Sequence, residues 1–353
     1  MTLATHPVKM TTDLAGAVLP NPVLTASGCA AAGRELQPFA PVSALGAVVT
    51  KSVTLRPRAG RPTPRMAETP SGMLNSIGLQ NPGVDAFLAH DLPWLAEHDA
   101  RAVVSIAGGS VAEYAELARR IAPAPALVAV EVNISCPNVE SRGEVFACDP
   151  LAASRVLAAV RAEIPAVVPV LAKLSPDVTD IVAVARACAD AGADGLTLVN
   201  TMLGLVIDPD TMRPVLGGVT GGLSGPAIMP VALRCVWQVH AALPSVPILG
   251  VGGIRTGLDA LQFVLAGASA ISVGTAVFGD PSAPVRVLAE LETALGERGF
   301  TAVADAIGYA HRDAGVELVV PPPPAPATDP AGPSAAAAAG ARPSWRLGEE
   351  DVW

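Results

Sequence analysis

The sequence predicts an α/β protein: a (β/α)8 TIM barrel followed by a disordered Pro/Ala-rich tail. Three observations predict it. Eight short apolar runs recur between residues 23 and 277 with helix-like stretches among them. Most of these runs are continuously apolar, as parallel strands covered on both faces must be. Of the 353 residues, 51% are hydrophobic, 16% charged and 3% aromatic. The core is therefore aliphatic, which suits β-branched strands under Ala-rich helices.

The first strand is expected at Val23–Ala26 and the second at Ala47–Lys51. The others follow at Ala102–Ala107, Leu127–Ile134, Val168–Leu174, Gly195–Asn200, Pro247–Gly252 and Ala270–Val277. Helical periodicity covers Glu113–Ile121, Pro150–Glu163, Thr179–Ala191, Ala227–Leu243, Leu258–Ala266 and Val285–Leu295. No G-x-G-x-x-G turn follows the first strand, which disfavours an open dinucleotide-binding sheet. Residues 52–101 form the longest gap, dense in Pro, Gly, Arg and Asn. It reads as a long functional loop on the catalytic face. Residues 1–320 make the barrel domain. Residues 321–353 lack an apolar face and read as a tail without a core of its own.

Composition removes several function classes. The net charge of −9 argues against nucleic-acid binding and against a polybasic membrane anchor. No run of 18 apolar residues spans a membrane, and no secretory leader is visible. Five cysteines at 29, 136, 148, 188 and 235 include no C-x-x-C pair. That disfavours a disulfide framework, a zinc site and a local iron–sulfur site, so no metal is expected and a cytoplasmic location fits.

Chemistry is concentrated at strand ends. Only three of the 23 basic residues are lysines, and Lys51 and Lys173 close apolar strands in GAVVTKS and PVLAKLS. Two ammonium groups at one barrel mouth suit an anionic ligand or an electron-rich ring, and the plain alternative is two snorkelling surface lysines. The VEVNISCPN run carries Asn133, Ser135, Cys136 and Asn138 out of the fourth strand. Cys136 next to a cation gains nucleophile or base character, whereas Cys188 and Cys235 in helical patterns read as structural. Glycine turns in PILGVGGIRTG and AISVGTAV follow or end the seventh and eighth strands, where barrels commonly hold a phosphate. Thr256 is placed to cap the next helix. Asn75, Asn133, Asn138 and Asn200 fall in loops of the catalytic face and suit a small planar ligand with carbonyl and N–H groups on its rim.

Together these runs resemble the dihydroorotate dehydrogenases, in particular the soluble class that uses a cysteine base. The resemblance extends from Pro22 to Phe278 through NPVLTASGC, TKSVTLRPRAGRPTPRMAET, GMLNSIGLQNPG, NISCPN, AKLSP, LVNTMLG, GGLSGPA, GVGGIRT and SVGTA, in that order. It implies an FMN barrel that oxidises dihydroorotate to orotate in pyrimidine synthesis. By motif, Ser27, Lys51, Ser52, Asn133, Lys173, Val199, Gly225, Gly252, Gly253, Gly274 and Thr275 would contact FMN. Lys51, Asn75, Ser76, Ile77, Gly78, Leu79, Asn133, Asn138, Asn200 and Thr201 would hold the substrate. Cys136 would be the base, with Lys51 and Lys173 stabilising charge.

The resemblance further implies a partner subunit carrying FAD and a 2Fe–2S cluster that passes electrons to NAD, built on a homodimer core or a heterotetramer. A fumarate-using homodimer is the other acceptor option. Two departures stand out. Ser105 replaces the Asn usual after the third strand, so one flavin contact is expected to be lost or water-bridged. Ala30–Ala32 replace aromatic and Gly residues, opening space near the flavin or a subunit contact. The rival readings are a dihydropyrimidine dehydrogenase-like reductase and a catalytically silent flavin-binding scaffold.

Overall fold

The computed structural model describes residues 7–124, 127–135, 137–138 and 144–312, with the backbone alone at 137–138 and 144–145. Two expectations lie outside the described residues: the tail at 321–353 and the position of Cys136.

The barrel strands are β1 (Val23–Thr25), β2 (Val48–Val49), β3 (Ala102–Ile106), β4 (Leu127–Asn133), β5 (Val170–Leu174), β6 (Gly195–Leu198), β7 (Ile248–Val251) and β8 (Ala270–Val273). They pair in parallel in the order β1-β8-β7-β6-β5-β4-β3-β2, and a parallel Leu24–Ala47 bridge closes the ring. Thr25 strengthens that short closure. Its Oγ1 accepts from the Val49 amide at 3.0 Å and donates to the Val49 carbonyl at 3.3 Å.

Around the strands run α1 (Leu92–Glu97), α2 (Val111–Ile121), α3 (Pro150–Glu163), α4 (Ile181–Asp190), α5 (Met229–Ala242), α6 (Gly257–Leu265) and α7 (Ala283–Glu297). Short polar side chains start several of them. Ser110, Asp149 and Asp180 accept from first-turn amides, and Thr256 forms a capping box with Asp259.

The apolar residues divide into two clusters. The larger lies between helices and strands and includes Tyr114, Phe146 and Phe263. The smaller lies inside the barrel and comprises Leu14, Leu19, Leu24, Leu171, Leu249 and a few smaller residues. Leu14 and Leu19 come from a hairpin of Thr12–Leu14 and Ala17–Leu19 that periodicity alone did not reveal. Its turn residues, Ala15 and Gly16, have φ of 58° and 93°, the left-handed pair that a tight hairpin demands. An ideal Cβ on Gly195, the first residue of β6, would stand 3.1 Å from Ala15 Cβ. The hairpin therefore seals the end of the barrel at which the strands begin.

Two expectations need correction. Residues 52–101 are more ordered than a loop. They hold a hairpin of Met66–Thr69 and Gly72–Asn75 and a helical run from Val84 to Glu97. The hairpin joins Gly221–Ser224 and Met202–Gly204 in a four-stranded antiparallel sheet. Its pairing partners lie far along the chain, so local composition shows only its Pro and Gly. The eighth strand is also shorter than expected. It ends at Val273, and Thr275–Phe278 form a 3-10 turn after Gly274. Among the described residues no helix is long and apolar enough to cross a membrane, and no His, Cys, Asp and Glu cluster could hold a metal.

Candidate active site

A cavity of about 1120 Å³ opens at the ends of the barrel strands and is roofed in part by the antiparallel sheet. That is slightly above the usual range of small-molecule sites, roomy enough for a cofactor and a substrate together. Every described position that the resemblance assigned to FMN lines it, from Ser27 to Thr275. So do Asn75, Ser76, Ile77, Gly78, Leu79, Asn200 and Thr201. Of the remaining positions, Cys136 lies outside the described residues, and Asn138 is described by its backbone, in an antiparallel pair with Glu144.

The strands place the polar groups. Lys173 on β5 extends its Nζ to Ser27 Oγ, a hydrogen bond of 2.8 Å. Glu131 Oε1 on β4 stands 3.5 Å from the same ammonium, and the two side chains are 4% and 1% exposed. Lys51 follows β2 and reaches toward Gly28, where an ideal Cβ would stand 3.4 Å from Lys51 Nζ. Gly28 has φ of +83°, a left-handed turn that glycine adopts without strain.

Asn133 ends β4 in a dense network. Its Nδ2 donates to Ser52 Oγ at 3.1 Å, its Oδ1 accepts from the Ser135 amide at 3.2 Å, and its carbonyl accepts from Tyr114 OH at 2.6 Å. Ser105 is fully buried and lies 2.9 Å from Ser52 Oγ. The serine at this position thus braces Ser52. On the sheet side Asn75 Nδ2 donates to the Gly222 carbonyl at 3.2 Å, and Asn200 Oδ1 accepts from the Thr201 amide at 3.0 Å.

The glycine turns meet at another part of the wall. Gly225, Gly252 and Gly253 have φ of +89°, +136° and +79°. A Cβ on Gly253 would come within 2.9 Å of the Gly225 carbonyl oxygen, so the two turns touch. Thr275 Oγ1 donates to Ser224 Oγ at 2.8 Å beside them.

Cys29 also faces the cavity. Burial pushes its thiol up to about 11, although Lys173 and Lys51 pull the other way. Cys148 is exposed at the rim, its thiol raised by partial burial and by Asp177. Cys188 and Cys235 are buried in α4 and α5, as expected. Sequence reasoning missed Glu131, although a lone acid in the apolar run LVAVEVN was its signal. It also missed Asp177, whose Oδ2 accepts from the Leu203 amide at 2.8 Å, and the Asp280–Arg286 pair at the rim.

The family model for dihydroorotate dehydrogenase matches residues 9–295. The chain is 52% identical over 299 residues to the dihydroorotate dehydrogenase B (NAD(+)) catalytic subunit of Geobacter sulfurreducens, covering 85% of this chain and 97% of that one. It is 51% identical over 308 residues to the protein of the same name from Desulforudis audaxviator, covering 87% and 99%. The chain belongs to the dihydroorotate dehydrogenase family.

Dihydroorotate dehydrogenases bind FMN. The residues of this cavity fit that group. Ser76 Oγ and Ser135 Oγ are buried on its wall without a protein partner, a cost that a polar ligand would relieve. Lys51 and Lys173 would supply positive charge for a ring that becomes electron-rich when reduced. The paired glycine turns leave backbone N–H groups near a helix start, a setting suited to a phosphate. Lys51, Lys173, Ser52 and Asn133 would then flank the ring, with Gly225, Gly252, Gly253 and Thr275 at the phosphate.

Proposed function

We propose that this dihydroorotate dehydrogenase oxidises (S)-dihydroorotate to orotate in pyrimidine biosynthesis, with Cys136 as base and electrons leaving through a partner subunit to NAD. The observation that carries the reading is the convergence of Lys51, Lys173, Asn75, Asn133 and Asn200 on one cavity beside the paired glycine turns.

The oxidation removes a proton from substrate carbon 5 and a hydride from carbon 6. Bound FMN supplies the hydride acceptor, its N5. Cys136 takes the proton as a thiolate base. Lys51 neutralises the substrate carboxylate. Asn75, Asn133, Asn138 and Asn200 grip the carbonyl and N–H rim of the pyrimidine and fix its face against the ring. Lys173 would lie beside the bound ring, where its ammonium would stabilise the negative charge that reduction brings.

The relatives are named as catalytic subunits of an NAD(+) enzyme. Those names support a companion subunit for this chain, for which we propose FAD and a 2Fe–2S cluster, and they favour NAD over fumarate. The proposed assembly is a homodimer core or a heterotetramer, acting in the cytoplasm.

Stopped-flow reduction of the purified flavoprotein tests the reading. Dihydroorotate is expected to reduce it, while dihydrouracil, which lacks the carboxylate, leaves it oxidised. Reduction by dihydrouracil alone would turn the assignment to a dihydropyrimidine substrate. A yellow protein that neither compound reduces would make it a silent flavin carrier. Turnover with NAD by the lone chain would remove the companion subunit.

A further inference from the structure

Glu131 has no part in the chemistry above, yet it is the one acid on β4 and its side chain is 1% exposed. Its register neighbours are Ser105 on β3 and Leu171 on β5. It stands 3.5 Å from the Lys173 ammonium, which Ser27 holds at 2.8 Å. A buried carboxylate is an expensive way to fill a barrel, because an apolar residue of similar volume packs there without desolvation. The pair therefore calls for a use beyond packing.

We propose that Glu131 is a positioning residue and counter-ion for Lys173, setting how much of that ammonium's charge reaches the bound cofactor and hence the cofactor's reduction equilibrium. The inference rests on the reading that places Lys173 beside the bound ring. Two-electron reduction adds negative charge to that ring, so net positive charge beside it favours the reduced form. Glu131 offsets part of that charge.

Among the described residues, the other groups around Lys173 do not replace it. Cys29, after β1, is a thiol held neutral at ordinary pH by burial. Ser105 on β3 and Thr197 on β6 offer hydroxyls only. Lys51, after β2, lines the same cavity as a second cation, and the ion pair of Glu131 is with Lys173.

The test is the midpoint potential of FMN in the purified holoprotein, read by equilibration with a reference dye. Glu131→Gln is expected to raise the reduced-to-oxidised ratio at a fixed potential at least tenfold, about 30 mV for a two-electron couple. Glu131→Asp retains the charge one methylene further back and is expected to give a smaller rise, between threefold and tenfold. Lys173→Met is expected to move the ratio the opposite way. A Glu131→Gln protein within threefold of wild type overturns the proposal, as does a Glu131→Asp shift equal to that of Glu131→Gln. If Glu131→Gln does not retain FMN, Glu131→Asp decides, and a rise below threefold overturns the proposal. Loss of FMN from both would make Glu131 a binding residue and would equally overturn it. An unchanged ratio in Lys173→Met refutes the placement of Lys173. A lowered ratio there with an unmoved Glu131→Gln refutes the Glu131 inference alone.

Discussion

The two ends of the barrel interior are built from different chemistry. Where the strands begin, Leu14, Leu19, Leu24, Leu171 and Leu249 fill the space with aliphatic carbon. Where the strands end, the buried side chains include Ser52, Ser105, Glu131, Asn133 and Lys173. The crossover is abrupt. On β5 Leu171 belongs to the apolar plug, and Lys173, two residues on and facing the same way, belongs to the site. The plug holds the ring of strands together, and the far end uses that rigidity to hold polar groups that would not pack by themselves. Substitutions at one end should register in stability and at the other in chemistry.

The largest expected effect is at the polar end. Cys136→Ser should slow flavin reduction by dihydroorotate by at least about 100-fold, the usual scale for losing a general base, and leave FMN bound. Stopped-flow absorbance reads the rate, and unchanged kinetics would take the base away from Cys136. Next comes the plug. Leu171→Ala should cost about 2–5 kcal/mol of stability in denaturant unfolding and leave the reduction rate of the folded fraction intact. A large rate loss with little change in stability would break the comparison.

Smaller effects sharpen it. Ser105→Ala removes the 2.9 Å partner of Ser52 Oγ. It should weaken FMN binding about fivefold, equivalent to about 1 kcal/mol, measured by flavin fluorescence on release. The smallest effect lies outside the barrel. Burial and His311 hold His240 below its ordinary 6.5. The unfolded chain therefore takes up this proton more readily than the folded one, so this contribution to stability is full above about pH 7 and falls as the pH drops through 6.5. It levels off below the folded value. The carboxylates with lowered values, Asp208 and Asp280 among them, begin to lose their contributions only at lower pH. Thermal melts from pH 5 to 8 should show the decline, and His240→Gln should flatten it. A flat wild-type profile would contradict the assignment.

The barrel was legible because its strands are continuous apolar runs and its helices carry their own caps. The expected helix Pro150–Glu163 matches α3 residue for residue, since Asp149 and Pro150 mark its start in the sequence. The N-terminal hairpin and the hairpin of Met66–Thr69 and Gly72–Asn75 escaped for one reason. Their strands are only three or four residues long, and their burial comes from partners distant in the chain. At the site, lysines and asparagines at strand ends announced themselves. Glu131 did not, because a single acid within an apolar strand reads as noise until its buried partner is known.

The most direct test of the account is a crystal structure of the yellow protein with orotate bound. It should show the flavin ring against Lys173 and Asn133 and orotate between that ring and Cys136, with Sγ in contact with carbon 5. A ring bound elsewhere, or Cys136 turned away from the ligand and out of the cavity framed by Lys51 and Lys173, would contradict it.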